Sequence, residues 1–413
     1  MPDKKKSSYF LKPSTAVIAQ GFDPKLSVGS ARPAVFRSST YVFSSPEAAE
    51  KAFATVLGRR EPVAGENIEL IYARLSHPNA EILETHLLSL EPGAKAACVF
   101  NTGMAAISTT FFTFTKPGRS VLYSSPIYGG THHLIHEILI PHGIHVKPFF
   151  AGNTKQMCET IRNTKNLDFI LIETPSNPTL LMTDLQTCVD EAKNHPDKPL
   201  VIVDNTFMGP AFQHPLEFGV DLCIYSATKF LAGYSDMLGG AIMGSDPQNI
   251  QKLQGTRALF GNILQADECW ILDSRLPMVE LRMNRESTNA QQIVEALKGH
   301  SQISEILYPT EFTNADQIAI YQKQCAQSGA IFSLRLKNGK KGAFDFLRKL
   351  SLIKNAESLG GIESLASHPA TTTHSEMSVE DQKTYGIDDS LVRISVGIED
   401  WQDILDDILQ ALE

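Results

Sequence analysis

A chain of 413 residues, 42% hydrophobic and 20% charged, carries enough apolar material for two or three packed units and lacks the bias of a disordered or fibrous protein. Its formal net charge of −9 gives no overall attraction for nucleic acid or an anionic membrane surface, so any anionic ligand must be met by a local pocket. The six cysteines (Cys98, Cys158, Cys188, Cys223, Cys269, Cys325) are scattered without a CxxC pair or a His/Cys metal spacing, which argues against a disulfide framework or a zinc site.

Lys4, Lys5 and Lys6 open the chain, but no apolar stretch of signal-peptide or membrane-spanning length follows, and a cytoplasmic location is the default expectation. Residues 1–70 lack sustained periodicity and include Pro/Gly/Ser-rich or polar stretches at 27–33 and 58–67, so they read as an extended arm. From Ala80 the pattern becomes that of an amphipathic helix, with Ile82, Leu83, Leu87, Leu88 and Leu90 on its apolar face and Glu91-Pro92-Gly93 as a stop.

Short apolar runs then recur at 96–100, 120–123, 145–150, 169–172, 200–203, 222–225 and 241–243, with helical stretches between them. Near-continuous apolar strands separated by helices are what a mostly parallel sheet covered on both faces requires. Ligands of such sheets gather at the carboxyl ends of the strands. A helical stretch over 265–297 leads to a second unit with strand-like runs at 330–336 and 391–396 and a last helix over 401–412. The expected organisation is an α/β protein with an arm (1–70), a large domain (71–265) holding a seven-stranded, mostly parallel sheet, and a smaller α/β domain (266–413).

The segment richest in chemistry is Ser226-Ala227-Thr228-Lys229, just after a strand. A lysine amine there can condense with a phosphorylated aldehyde while the two hydroxyls of Ser226 and Thr228 donate to the phosphate. One strand earlier, Val201-Ile202-Val203 ends in Asp204, a carboxylate placed to keep a pyridine nitrogen protonated. Asn177 lies between Pro175 and Pro178 after the preceding strand, where an amide could bond a phenolic oxygen. Asn101-Thr102-Gly103-Met104 opens a helix whose N–H groups could hold phosphate, and Tyr128 could stack on an aromatic ring. Taken singly these residues have blander accounts: a surface lysine in a turn, an Asx turn, a core tyrosine. Arg393, in the apolar strand Leu391-Val392-Arg393-Ile394, needs an anion or several acceptors if buried, and an amino-acid carboxylate is a natural partner.

As a set these segments resemble the cystathionine γ-synthase/γ-lyase, or Cys/Met metabolism, family of pyridoxal-phosphate enzymes over almost the whole chain. The lysine segment is similar to the family's Ser-x-Thr-Lys followed by Gly-x-x-Asp, here Gly233-Tyr234-Ser235-Asp236. The resemblance implies a fold-type I transferase that binds pyridoxal 5′-phosphate through Lys229, Asp204, Asn177, Ser226, Thr228, Gly103, Met104 and Tyr128, with Lys229 and Tyr128 catalytic. It further implies that Tyr72 and Arg74, in a Tyr-x-Arg segment, reach the phosphate of a neighbouring subunit, giving dimers with shared sites that pair into a tetramer. Arg393, Ser358 and Asn177 would then bind the amino-acid substrate, and Glu357 would face a distal amino group, as in cystathionine-handling members.

The activity implied is elimination or replacement at Cγ of a sulfur-containing amino acid. Methionine γ-lyase, cystathionine β-lyase and O-acylhomoserine sulfhydrylase activities are alternatives within the family, although Gly130 stands where methionine γ-lyases usually carry cysteine. Outside it, an aminotransferase or aldolase on the same fold and a non-catalytic binding paralogue are the rivals. Ser76-His77-Pro78-Asn79 departs from the family's usual Asn-Pro-Thr, and Thr102 from its usual serine. His132, His133 and Tyr234 are also atypical, and the two histidines are expected on a solvated helix.

Overall fold

The structure, a computed structural model, describes residues 11–61, 63 and 66–413. Lys4, Lys5 and Lys6, and three residues of the polar stretch at 58–67, lie outside the described residues. Seven strands form the larger sheet: β1 (Ala96–Phe100), β2 (Ser120–Ser125), β3 (His145–Phe150), β4 (Leu167–Glu173), β5 (Leu200–Asp204), β6 (Leu222–Ser226) and β7 (Gly240–Gly244). Their spatial order is β1-β7-β6-β5-β4-β2-β3. Only β7 runs against its neighbours; β2 to β6 pair in parallel.

Strict alternation along each strand divides the apolar side chains between two cores. Val99, Leu122, Ile170, Ile172, Val201 and Val203 pack into one core, under the helices Pro78–Leu87, Thr154–Arg162 and Leu185–Asn194. Phe100, Val121, Phe169, Leu171, Ile202 and Ile224 pack into the other, under the helices Gly103–Phe114 and Pro247–Phe260. Burial on both faces is why these strands read as continuous apolar runs. The edge strand β3 is the exception: its exposed Lys147 and Pro148 suit a strand with one open side.

A second sheet of five strands has the order β10-β11-β12-β9-β8. Its strands are β8 (Ile303–Leu307), β9 (Ile331–Leu336), β10 (Lys354–Asn355), β11 (Leu365–Ser367) and β12 (Leu391–Ser395). Phe332, Leu334, Val392 and Ile394 of this sheet pack on Ile293 and Val294 of one helix and Ile404 and Ile408 of another.

Three expectations need correction. The arm is not wholly extended: Pro13–Ala19 and Pro46–Val56 are helical, each with proline in its first turn, and Ser45 caps the second by accepting from the Ala48 N–H at 3.1 Å. The stretch 265–297 is not one helix but Ala266–Arg275 and Val279–Leu297 around a short 3₁₀ turn, because Pro277 has no N–H to give. The ladders also outlast the apolar runs. At the ends of β4 and β5 the register pairs Glu173 with Asp204, placing two carboxylates side by side at the carboxyl edge of the sheet.

Candidate active site

The carboxyl ends of β2, β4, β5 and β6 point to one edge of the large sheet; Asp204 is the last residue of β5, and the loops that leave β2, β4 and β6 carry Tyr128, Asn177 and Lys229. From the small sheet come Arg393, on β12, and Glu357, in the loop after β10. Together with Gly103, Met104, Ser226 and Thr228 these residues line one cavity of about 930 Å³, counting its open mouth. That volume suits a cofactor with a small substrate.

Lys229 sits in a tight turn, its N–H donating to Ser226 O at 3.0 Å and its carbonyl accepting from Gly233 N at 2.7 Å. Its Nζ donates to Ser358 Oγ at 3.1 Å, which ties the large-sheet loop to the small-sheet loop. Burial, with a contribution from the Arg393 charge, pushes this amine down to about 8. Arg393 is itself buried and pushed down to about 10, so it stays charged at neutral pH. Its Nη1 donates to Asn177 Oδ1 at 3.0 Å and its Nη2 to Ser358 O at 3.1 Å.

Asp204 is raised above the ordinary aspartate range by burial, while the side-chain and backbone donors of Thr206 pull it down. The Thr206 Oγ1 donates to Asp204 Oδ1 at 2.5 Å and accepts from Ser226 N at 2.9 Å, linking β5 to the lysine turn. At the other end of the cavity Thr102 caps the helix Gly103–Phe114, accepting from Ala105 N at 2.9 Å. A Cβ on Gly103 would lie 2.9 Å from the Cβ and Oγ of Ser226, so glycine is what lets this helix start approach the lysine turn. Thr228 Oγ1 accepts from Gly239 N at 3.0 Å.

Tyr128 precedes the short helix Gly129–Leu134 and is pushed up above the ordinary tyrosine range, by burial first and then by Glu357 and Glu173. A Cβ on Gly130 would meet Tyr128 Cε1 at 2.6 Å and Met104 Sδ at 3.2 Å, so the glycine leaves the ring its place. Of the histidines of this helix, His132 is half-buried and its ring lies 4.2 Å from that of His136, whereas exposed His133 pairs with Glu376 at 2.9 Å. Tyr234 lies beneath the guanidinium groups of Arg275 and Arg282, at 4.7 and 5.6 Å.

Two residues expected at the site are elsewhere in the single chain. Tyr72 is 41% exposed, and Arg74, whose guanidinium is 5.7 Å from the Tyr72 ring, donates to Ala258 O at 2.6 Å. Both line a separate surface depression with Phe36, Arg37 and Asp267. Ser358 is not among the residues that line the cavity, and it accepts from Lys229 at its hydroxyl and from Arg393 at its carbonyl. The atypical His77 caps the helix Pro78–Leu87 and Asn79 holds the arm, accepting from Phe36 N and donating to Ala34 O, both at 2.8 Å.

Glu173, Thr206, Leu238 and Thr373, none of them given a role from the sequence, also line the cavity, as does Leu359 beside Ser358. Glu173 had a signal, a charged residue directly after the run at 169–172. Thr373 had none, since its place depends on a long loop of the smaller unit.

The match to known proteins is as broad as the fold is complete. The model of the Cys/Met metabolism PLP-dependent enzymes matches residues 14–413. An L-methionine gamma-lyase of Pseudomonas deceptionensis is 34% identical over 414 residues, covering 100% of this chain and 99% of that one. A cystathionine gamma-lyase of Bacillus subtilis is 37% identical over 356 residues, 86% of this chain and 91% of that one. The crystal structure of cystathionine gamma synthase from Xanthomonas oryzae pv. oryzae in complex with cystathionine superposes with a TM-score of 0.87 at 29% identity, over 97% of this chain and 98% of that one. With a family model spanning both sheets and the whole cavity between them, the chain belongs to the Cys/Met metabolism PLP-dependent enzymes.

Proposed function

We propose that this chain eliminates or replaces a group at Cγ of a sulfur-containing amino acid, with pyridoxal 5′-phosphate held on Lys229 and a cystathionine-type substrate. The observation that carries this reading is the half-buried Lys229 amine, bonded to Ser358 in a cavity that also presents Asp204 and Arg393.

The cavity fits the cofactor. Asp204 is a half-buried carboxylate on the cavity wall, raised by desolvation and short of a cation, which a protonated ring nitrogen supplies. The start of the helix Gly103–Phe114 offers free N–H groups and the positive end of its dipole beside the hydroxyl of Ser226, the surroundings a phosphate needs. Tyr128 offers an aromatic face and Asn177 an amide. When bound, pyridoxal phosphate supplies an aldehyde that condenses with amines and a cationic ring that stabilises negative charge at Cα.

The protein's own residues do the rest. Arg393 binds the substrate α-carboxylate through a guanidinium that Asn177 and Ser358 hold in place. Lys229 accepts and returns protons at Nζ, which at about 8 is populated in both forms near neutral pH. A leaving group on Cγ requires a base that serves both Cα and Cβ, and one flexible lysine on the inner wall can reach both. Glu357 lines the mouth and offers a carboxylate to a distal amino group, which favours cystathionine over methionine. Gly130 points the same way, because the side chain usual in methionine γ-lyases would press on Tyr128 as that ring is placed here. Tyr72 and Arg74 complete the site of a second copy in a shared-site dimer, two of which pair into a tetramer. No helix among the described residues is long and apolar enough to cross a membrane.

The test is a substrate panel on purified holoenzyme. Cystathionine, methionine and O-succinylhomoserine are each supplied, and 2-oxobutanoate and thiol are measured. Cystathionine turnover exceeding methionine turnover is expected, and Lys229→Ala should lose both the near-visible cofactor absorbance and nearly all turnover. Exchange of amino groups without release of a Cγ substituent would overturn the reading.

A further inference from the structure

Asp204 is not the only carboxylate in the cavity floor. Glu173 ends the neighbouring parallel strand, its register partner across the ladder is Asp204, and it is 5% exposed. Register partners on adjacent strands project to the same side of a sheet, with strand axes about 4.8 Å apart. Burial pushes Glu173 up to about 8, with Asp204 adding to the rise. A second acid beside the first is therefore costly, and among the described residues no cation lies within salt-bridge distance of it, the Arg393 charge acting on it only from farther off. Neither packing nor the need for one ring partner accounts for it.

What Glu173 touches does. Its Oε2 accepts from the backbone N–H of Tyr128 at 2.9 Å, and its Oε1 accepts from the backbone N–H of Asn177 at 2.7 Å. These two loops leave different strands, β2 and β4, and one carboxylate fastens both. We propose that Glu173 is a positioning residue that holds the ring of Tyr128 and the amide of Asn177 in fixed relation to the cofactor plane. Through Asn177 the tether extends to Arg393, whose Nη1 rests on the Asn177 Oδ1. One side chain thus sets the aromatic face, the amide and the substrate-carboxylate clamp relative to Asp204. A carboxyl group suits this task because it presents two oxygens on one planar end, one to each backbone N–H. The proposal rests on the assignment of the cofactor to Lys229.

Glu173→Gln is the test variant, since an amide of the same shape keeps one acceptor and turns an N–H₂ toward the other backbone N–H. The holoenzyme should retain its cofactor band, and its melting temperature should move by no more than about 4 °C, because relief of the crowding beside Asp204 opposes the loss of one hydrogen bond. Its kcat should fall roughly 10- to 100-fold, as expected for misplacement by about 1 Å. Circular dichroism in the cofactor band should change in intensity, reporting a reoriented chromophore. Added to Tyr128→Ala, which removes the ring, Glu173→Gln should cost less than it does alone, since part of its effect passes through that ring. Glu173→Asp keeps the carboxyl group but draws it back from both N–H groups, and should be impaired as well.

A lowered melting temperature with wild-type kcat in the remaining holoenzyme would make Glu173 merely structural and overturn the proposal. Additive losses with Tyr128→Ala, or full activity in Glu173→Asp, would also overturn it. Failure of the underlying assignment has a different signature: the unmodified protein itself would bind no pyridoxal phosphate.

Discussion

At the scale of single residues the site works by burial. Lys229 differs from a surface lysine only in its surroundings: it loses hydration and faces the Arg393 charge, and together these lower it from 10.5 to about 8. Because the folded value is depressed, the neutral and nucleophilic amine predominates above about 8 and is lost as pH falls below it. Apoprotein mixed with pyridoxal phosphate should therefore develop its cofactor absorbance at a rate that climbs about tenfold per pH unit up to about 8 and then levels. An unperturbed lysine would keep climbing to about 10.5. Stopped-flow absorbance across this range separates the two, and a rate still rising at pH 9.5 would mean that Lys229 is solvated. Asp204 obeys the same physics with the opposite sign, raised by burial and restrained only by the donors of Thr206.

At the scale of elements, close approach governs the site, and glycine permits it. In the helix Gly129–Leu134, a Cβ on Gly129 would fall 1.8 Å from the carbonyl oxygen of Thr373, whereas one on Gly130 would meet the edge of the Tyr128 ring. The first obstacle is backbone from the smaller unit and the second is a movable side chain. Gly129→Ala should thus lower stability by about 1 to 3 kcal/mol and raise KM by prying the Thr373 segment from the cavity wall. Gly130→Ala should spare stability and lower kcat by displacing Tyr128. Thermal unfolding alongside steady-state kinetics distinguishes them, and equal stability losses in both would show that the segment yields freely.

The same scale explains what could be read in advance. The seven strands were legible because each is covered on both faces, so that Val201-Ile202-Val203 or Leu222-Cys223-Ile224 has no polar gap to blur it. Lys229, Asp204 and Asn177 were legible because chemistry at strand ends stands out against such runs. The arm helices were not, since Pro46–Val56 fully buries only Ala52 and so shows no broad apolar stripe against the rest of the chain. The tether made by Glu173 was illegible because its meaning lies across the ladder and in a loop 45 residues away. No spacing along the chain encodes either neighbour.

At the scale of the whole molecule, the single chain holds a cavity but not every residue expected at it. Tyr72 and Arg74 stand in a surface depression of their own, and near them Leu259 and Phe260, just after the Ala258 carbonyl that Arg74 engages, are 84% and 51% exposed. Exposed apolar side chains flanking a cation of this kind suit a face covered by another copy, with Arg74 presented to the anion bound there. If the site is shared in this way, Lys229→Ala and Arg74→Ala each inactivate a homodimer, but they damage different sites of a mixed one. In a mixed dimer one site combines both defects, and the other combines an intact Lys229 with an intact Arg74 from the opposite chain. Equal amounts of the two inactive variants, dissociated and reassembled together, should regain about a quarter of wild-type activity, since about half the dimers are mixed and each has one good site. If both residues served the site of their own chain, no mixture would contain a complete site, and the reassembled sample would stay as inactive as its parents.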